Sequence, residues 1–185
     1  MGHIALITNG EIGTSVRGKL NTAIARENKN TGWGNYEDSA HTSGSPLVVA
    51  EGVTVLLTNN KAVTTETQLP QGTTTLYNGT RMTPDALGDV YDMRLSFKAE
   101  SSAHAGSFSI TFDSSSAGDG SDIVFTKSAS TVLNVNTVQD YSFPANFFIA
   151  SALKNNGGIL RIKSISGILK VSDFSIFINK VHAGH

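Results

Sequence analysis

The groups able to do chemistry in this 185-residue chain are its five histidines, its 15 acids and a few ring residues. There is no cysteine, so a thiol nucleophile, a disulfide framework and a cysteine metal site are all excluded. No GxSxG nucleophile turn occurs. The histidines (His3, His41, His104, His182, His185) are scattered, and none has a metal-ligating partner at i+2 or i+4. Residues 113–122, DSSSAGDGSD, hold the best candidate for a cation: Asp113, Asp119 and Asp122 could present oxygens to Ca²⁺. Their spacing departs from an EF-hand loop, and a solvated loop is the preferred reading. Asp89 and Asp92 flank Tyr91, but no second acid is placed opposite them as a glycosidase pair requires. The glycines fall between strands and not ahead of a helix, so no phosphate cradle is read. No catalytic residue, metal ligand or cofactor is expected, and the chain is not read as an enzyme.

Bulk composition narrows the partners. The formal net charge is -1, the pI is about 6.5, and 16% of residues are charged. Phosphate backbones need clustered Lys and Arg, so nucleic acid is not expected. No apolar run approaches the ~18 residues of a membrane span. The opening MGHIALITNGEIG has no basic n-region and only a short apolar run, which does not make a signal peptide. Leu6 stands where a myristoylation signal places Ser or Thr.

The elements must position whatever function remains. Residues 3–8 form a short apolar run, a strand or an extended arm, closed by Asn9-Gly10. Residues 13–29, GTSVRGKLNTAIARENK, are the only long amphipathic helix pattern, with Thr14 or Ser15 as the cap. Val16, Leu20, Ala23 and Ile24 fall on one face, with Arg17, Lys19, Arg26 and Lys29 off it. That narrow stripe is marginal alone and asks for a partner surface. Trp33 and Tyr36 follow in WGNYED, as a packing corner anchoring the arm or as a ligand-stacking pair.

Beyond Gly32 the chain reads as short strands between Gly, Asn, Ser and Thr. Strands are predicted at 47–49, 53–58, 76–78, 90–99, 108–112, 123–125, 132–138, 141–153, 159–165 and 171–180. The segment 90–99 is the clearest, with Tyr91, Met93, Leu95 and Phe97 alternating with Asp92, Arg94, Ser96 and Lys98. Residues 155–158, NNGG, read as a hairpin turn. Spacing of this kind predicts an all-β antiparallel sandwich or barrel. It does not separate an immunoglobulin-like sandwich from a jelly roll.

The pattern NGExGxSVRxKLNxAI, then WxxYxD, then a β body ending in VSxFSIFI resembles small virion proteins of tailed bacteriophages. It is carried by Asn9, Gly10, Glu11, Gly13, residues 15–17 and 19–21, Ala23, Ile24, Trp33, Tyr36, Asp38 and residues 171–178. SVRGKLN is the distinctive string, and similar strings introduce tail-fibre and tailspike proteins. The resemblance implies a trimeric jelly roll of the tumour-necrosis-factor-like kind, with an attachment arm over 1–32 and a body over 33–185. It implies a homotrimer partnered by a major capsid protein or another virion protein, located in the virion and assembled in the host cytoplasm. Val16, Arg17, Lys19, Leu20, Ala23 and Ile24 would be the attachment surface. Because the arm runs directly into the body with no shaft, a capsid decoration (cement) protein is the expectation. A tail-fibre or receptor-binding tip that recognises host glycans is the alternative.

Overall fold

The computed structural model describes residues 14–132 and 134–183, with backbone alone for residues 14, 15 and 25–29. The capping roles of Thr14 and Ser15, the run at 3–8, and His3 and His185 therefore lie outside the described side chains. One long helix, α1 (Thr14–Lys29), leads directly into an all-β body. No helix among the described residues is long and apolar enough to cross a membrane.

The body is a sandwich of two antiparallel sheets. The first runs β4 (Val63–Gln68), β1 (Gly32–Glu37), β11 (Leu169–His182), β6 (Val90–Ser101), β9 (Gln139–Phe148), with β2 (Leu47–Val49) pairing on β11. The second runs β3 (Thr54–Leu56), β10 (Gly158–Ser164), β7 (Ser107–Asp113), β8 (Ile123–Ser130), with β5 (Arg81–Met82) pairing on β10. A six-residue helix, α2 (Ser151–Asn156), links β9 to β10.

Alternation builds the core. In β6, Tyr91, Met93, Leu95, Phe97 and Ala99 are buried, while Asp92 and Arg94 point to solvent. Phe108, Ile110 and Phe112 of β7 meet them from the facing sheet, with Phe97 and Phe108 centroids 5.9 Å apart. In β11 the inward residues are Leu169 and Val171, then Phe174, Ile176 and Ile178, so the parity changes midway. A bulge causes this: three steps of β11 from Ser172 to Ser175 oppose two of β6, and Asp173 takes a positive φ of 53°. Lys98 reaches Asp173 at 2.9 Å on the outside of the bulge.

The structure corrects several local readings. Residues 132 and 134–138 are turns and loop, with Val132, Val135 and Val138 exposed. The run 141–153 divides into β9 and α2, and Asn155 and Asn156 belong to that helix, not to a hairpin turn. β1 and β4 are strands where no strand was expected. The segment 76–78 makes only an isolated bridge, from Tyr77 to Met82.

Candidate functional site

Residues of three kinds stand out: the stripe on α1, the Trp33–Tyr36 junction, and the outer face of the first sheet. On α1, Val16 is 47% and Leu20 39% exposed, Ala23 and Lys19 are exposed, and Arg17 and Ile24 are half-buried. Among the described residues no strand packs extensively along this helix. Gly18 sits in its second turn and lowers its intrinsic stability. Thr22 folds its hydroxyl back onto the Gly18 carbonyl at 2.8 Å. Among the described residues, Val16 and Leu20 of its stripe are left exposed.

The junction that follows is closely packed. A Cβ on Gly32 would lie 2.2 Å from the Gln68 carbonyl oxygen, so only glycine lets β1 run this close to the end of β4. A Cβ on Gly34 would meet the Tyr36 hydroxyl at 2.6 Å. Trp33 and Tyr36 lie three residues apart on a strand and so face opposite ways. Trp33 is half-buried on the outer face, its ring 5.7 Å from Phe177. Tyr36 is fully buried and presents no surface to a ligand.

Tyr36 instead organises a polar network inside the body. Its hydroxyl donates to Glu66 Oε1 at 2.7 Å and accepts the Leu76 N–H at 2.9 Å. Lys61 lies 5.1 Å from its ring centre, and the Tyr77 ring packs at 5.6 Å. Burial, above all, and the Glu66 hydrogen bond push its hydroxyl well above the ordinary tyrosine range. Next to it Asp38 accepts from the Asn60 N–H at 2.9 Å, the His41 N–H at 2.9 Å and the His41 ring at 2.7 Å. Burial alone would raise Asp38, but hydrogen bonds from Asn60, His41 and Ala40 outweigh it and hold the carboxyl below the usual carboxylate range.

The acidic loop 113–122 is held by its own first residue. Asp113 is fully buried and accepts from the Ser115 N–H and hydroxyl, both at 2.9 Å, and from the Gly120 N–H at 2.7 Å. Arg81 staples the loop from outside, donating to the carbonyls of Ser115, Ser116 and Asn156. Asp119 spends its carboxylate on the Ser121 N–H at 3.0 Å. Among the described residues no three His, Asp or Glu side chains gather as a metal site.

A cluster that sequence reading missed lies where β11 ends beside the arm. Lys180, paired in register with Gly32, is 1% exposed. Its ammonium sits 2.8 Å from Asp85 and 2.9 Å from Asp89, and Asp89 is itself buried. Asp89 and Asp92, read together from sequence, face opposite ways: Asp92 is exposed on the outer face.

β9 ends the first sheet, and its outer side pairs with nothing among the described strands. Along it Tyr141 and Phe143 are half-buried, stacked on Phe97, while Phe148 is 67% exposed.

No protein-family model matches the sequence, and no curated protein does. Among solved structures, the chain is similar to Eiger TNF from S. frugiperda, with a TM-score of 0.52 and 10% identity over 84% of this chain and 94% of that one. It is also similar to the PRD1 vertex protein P5, with a TM-score of 0.49 and 12% identity over 82% of this chain and 73% of that one. Murine APRIL gives a TM-score of 0.49 and 10% identity over 82% of this chain and 99% of that one. At 10% identity the likeness to the Eiger structure is one of fold alone: the body is an antiparallel jelly-roll sandwich.

Proposed function

We propose that this chain is a structural protein of a bacteriophage virion, a homotrimeric capsid decoration (cement) protein on the outer head surface. The observation that carries the reading is the uncovered stripe of α1. The sandwich closes its core without the helix, and Val16 and Leu20 remain open on it. An arm that is apolar, basic at its flanks and not needed by the body is an attachment device, and the major capsid protein is its partner in this reading. In this division residues 1–32 attach and residues 33–185 form the exterior body.

Self-association is supported by β9. Phe148 is exposed on an open edge strand, whose inward rings Tyr141 and Phe143 are half-buried against the core. Pro144 sits in the middle of that strand and lacks the N–H that further strand addition would need. The edge is thus suited to side-chain packing against other copies and not to sheet extension. No enzymatic activity is part of this reading. Light scattering on the full chain tests the assembly. The expected mass is three times the 19.5 kDa of one chain, and a stable monomer at micromolar concentration overturns it.

A second reading, a tail-fibre or receptor-binding tip recognising host surface glycans, is favoured by one observation: the Trp33–Phe177 ring pair on the outer face of the first sheet.

A further inference from the structure

Register places the outward side chains of four neighbouring strands in rows. One row runs Trp33, Asn179, Asp92, Asn146 across β1, β11, β6 and β9. The next runs Asn35, Phe177, Arg94, Pro144. Their inward neighbours Tyr36, Ile176, Ile178, Tyr91, Met93 and Leu95 are buried, so these rows face solvent.

The rows combine ring faces with unengaged polar groups. The Trp33 and Phe177 rings lie 5.7 Å apart and tilted by 33°, and both are half-buried. The exposed Arg94 guanidinium rests 5.6 Å from the Phe177 centre, and its N–H groups find no protein acceptor among the described residues. Asn146 donates to Asp92 Oδ1 at 2.7 Å, which fixes the carboxylate and leaves its second oxygen open. A trough of about 430 Å³ runs beside the ring pair, lined by Asp92, Arg94, Lys127, Pro144, Asn146 and Phe177.

We propose that this trough is a binding site for a neutral saccharide. A pyranose has an apolar C–H face and a rim of hydroxyls, each both donor and acceptor. The Phe177 ring, with Trp33 beside it, offers an apolar platform. Asp92 accepts, Arg94 donates and Asn146 does both, all at the level of that platform. Adjacent strands are ~4.8 Å apart, so the span from Phe177 to Asn146 is that of a short oligosaccharide. Asp92 against Arg94 and Lys127 leaves a single positive charge, far short of the clustered basic patch a polyanion needs. The same charges argue against a buried contact between copies, whose cores are depleted in charge. The proposal develops the second reading above and is independent of the capsid assignment, so its failure leaves that assignment standing.

The test is a printed array of neutral hexose and N-acetylhexosamine oligosaccharides probed with the full chain, followed by titration of the strongest ligand. Wild type is expected to bind. Phe177→Ala and Arg94→Ala, the second at an exposed position that the fold does not need, are each expected to weaken binding about ten-fold or more, the loss of one good contact. Circular dichroism melts check that both variants fold. No binding by wild type to any glycan overturns the proposal, as does binding unchanged in Arg94→Ala. If instead no glycan binds and Phe177→Ala lowers the solution mass, the face is a contact between copies and the saccharide site is wrong.

Discussion

Lys180→Met is the most informative single change to the body. The ammonium of Lys180 lies 2.8 Å from Asp85 and 2.9 Å from Asp89, and Lys180 is 1% exposed. Asp85 is 40% exposed on its side chain and can turn to water, but Asp89 is buried and cannot. Methionine fills a similar volume, so little cavity forms. The loss is then the counterion of the buried Asp89, whose carboxylate keeps the Ala86 N–H at 2.8 Å, and breaking a buried pair in this way costs about 3–5 kcal/mol. For a domain of this size ~2–4 °C of melting temperature is lost per kcal/mol, so the midpoint should fall by roughly 6–20 °C. Urea unfolding should show a lower midpoint at an unchanged slope. The double variant Lys180→Met/Asp89→Asn removes the stranded charge and should recover more than half of the loss. A single variant costing under ~1 kcal/mol would refute the reasoning, because the pair would then not be desolvated. A double variant as unstable as the sum of its singles would also refute it, because the two residues would not be coupled.

Three further outcomes are expected. Leu20→Asp should leave the melting temperature of the body within a degree or two. On docking, closing the 39% of Leu20 that is exposed contributes roughly 1–2 kcal/mol. A carboxylate at that place costs several kcal/mol more, so co-sedimentation with capsids should drop by about a hundred-fold or more in affinity; a large loss of body stability would show that the helix belongs to the core. Phe148→Lys, at a position 67% exposed, should lower the solution mass without unfolding the chain, and an unchanged mass would remove the β9 edge from the proposed interface. Asp38 and Asp113 are both held below the usual carboxylate range, so their stabilisation is fully present above the unfolded value of ~3.9 and is lost as pH falls through their folded values. The melting temperature should be level from about pH 7 to 5 and fall below that, with a shallower fall in Asp113→Asn; an identical acid profile in that variant would contradict the assignment.

The sandwich was legible wherever a strand had one polar face. β6 and the Phe174, Ile176, Ile178 face of β11 follow directly from alternation. The bulge at Asp173 was not visible, since nothing in VSDFS marks a left-handed aspartate. Residues 132–138 carry enough valine to look like a strand, yet the described ones join neither sheet and their valines stay exposed. β1 hid behind Gly32 and Gly34, which lower strand propensity but are required by the close approach of Gln68 and Tyr36. Missing that strand obscured the opposite facing of Trp33 and Tyr36, and so the outward ring pair of Trp33 with Phe177. The helix was legible from its stripe, because its amphipathic spacing is local. What its apolar side meets is not local, and a single chain leaves Val16 and Leu20 open.

Electron cryo-microscopy of the phage particle to which the proposal assigns this chain tests the central claim most directly. The account predicts three β bodies around a three-fold position on the outer head, each with the α1 stripe of Val16, Leu20, Ala23 and Ile24 against the shell. Density for the chain at the tail tip, or none in the particle, would contradict it.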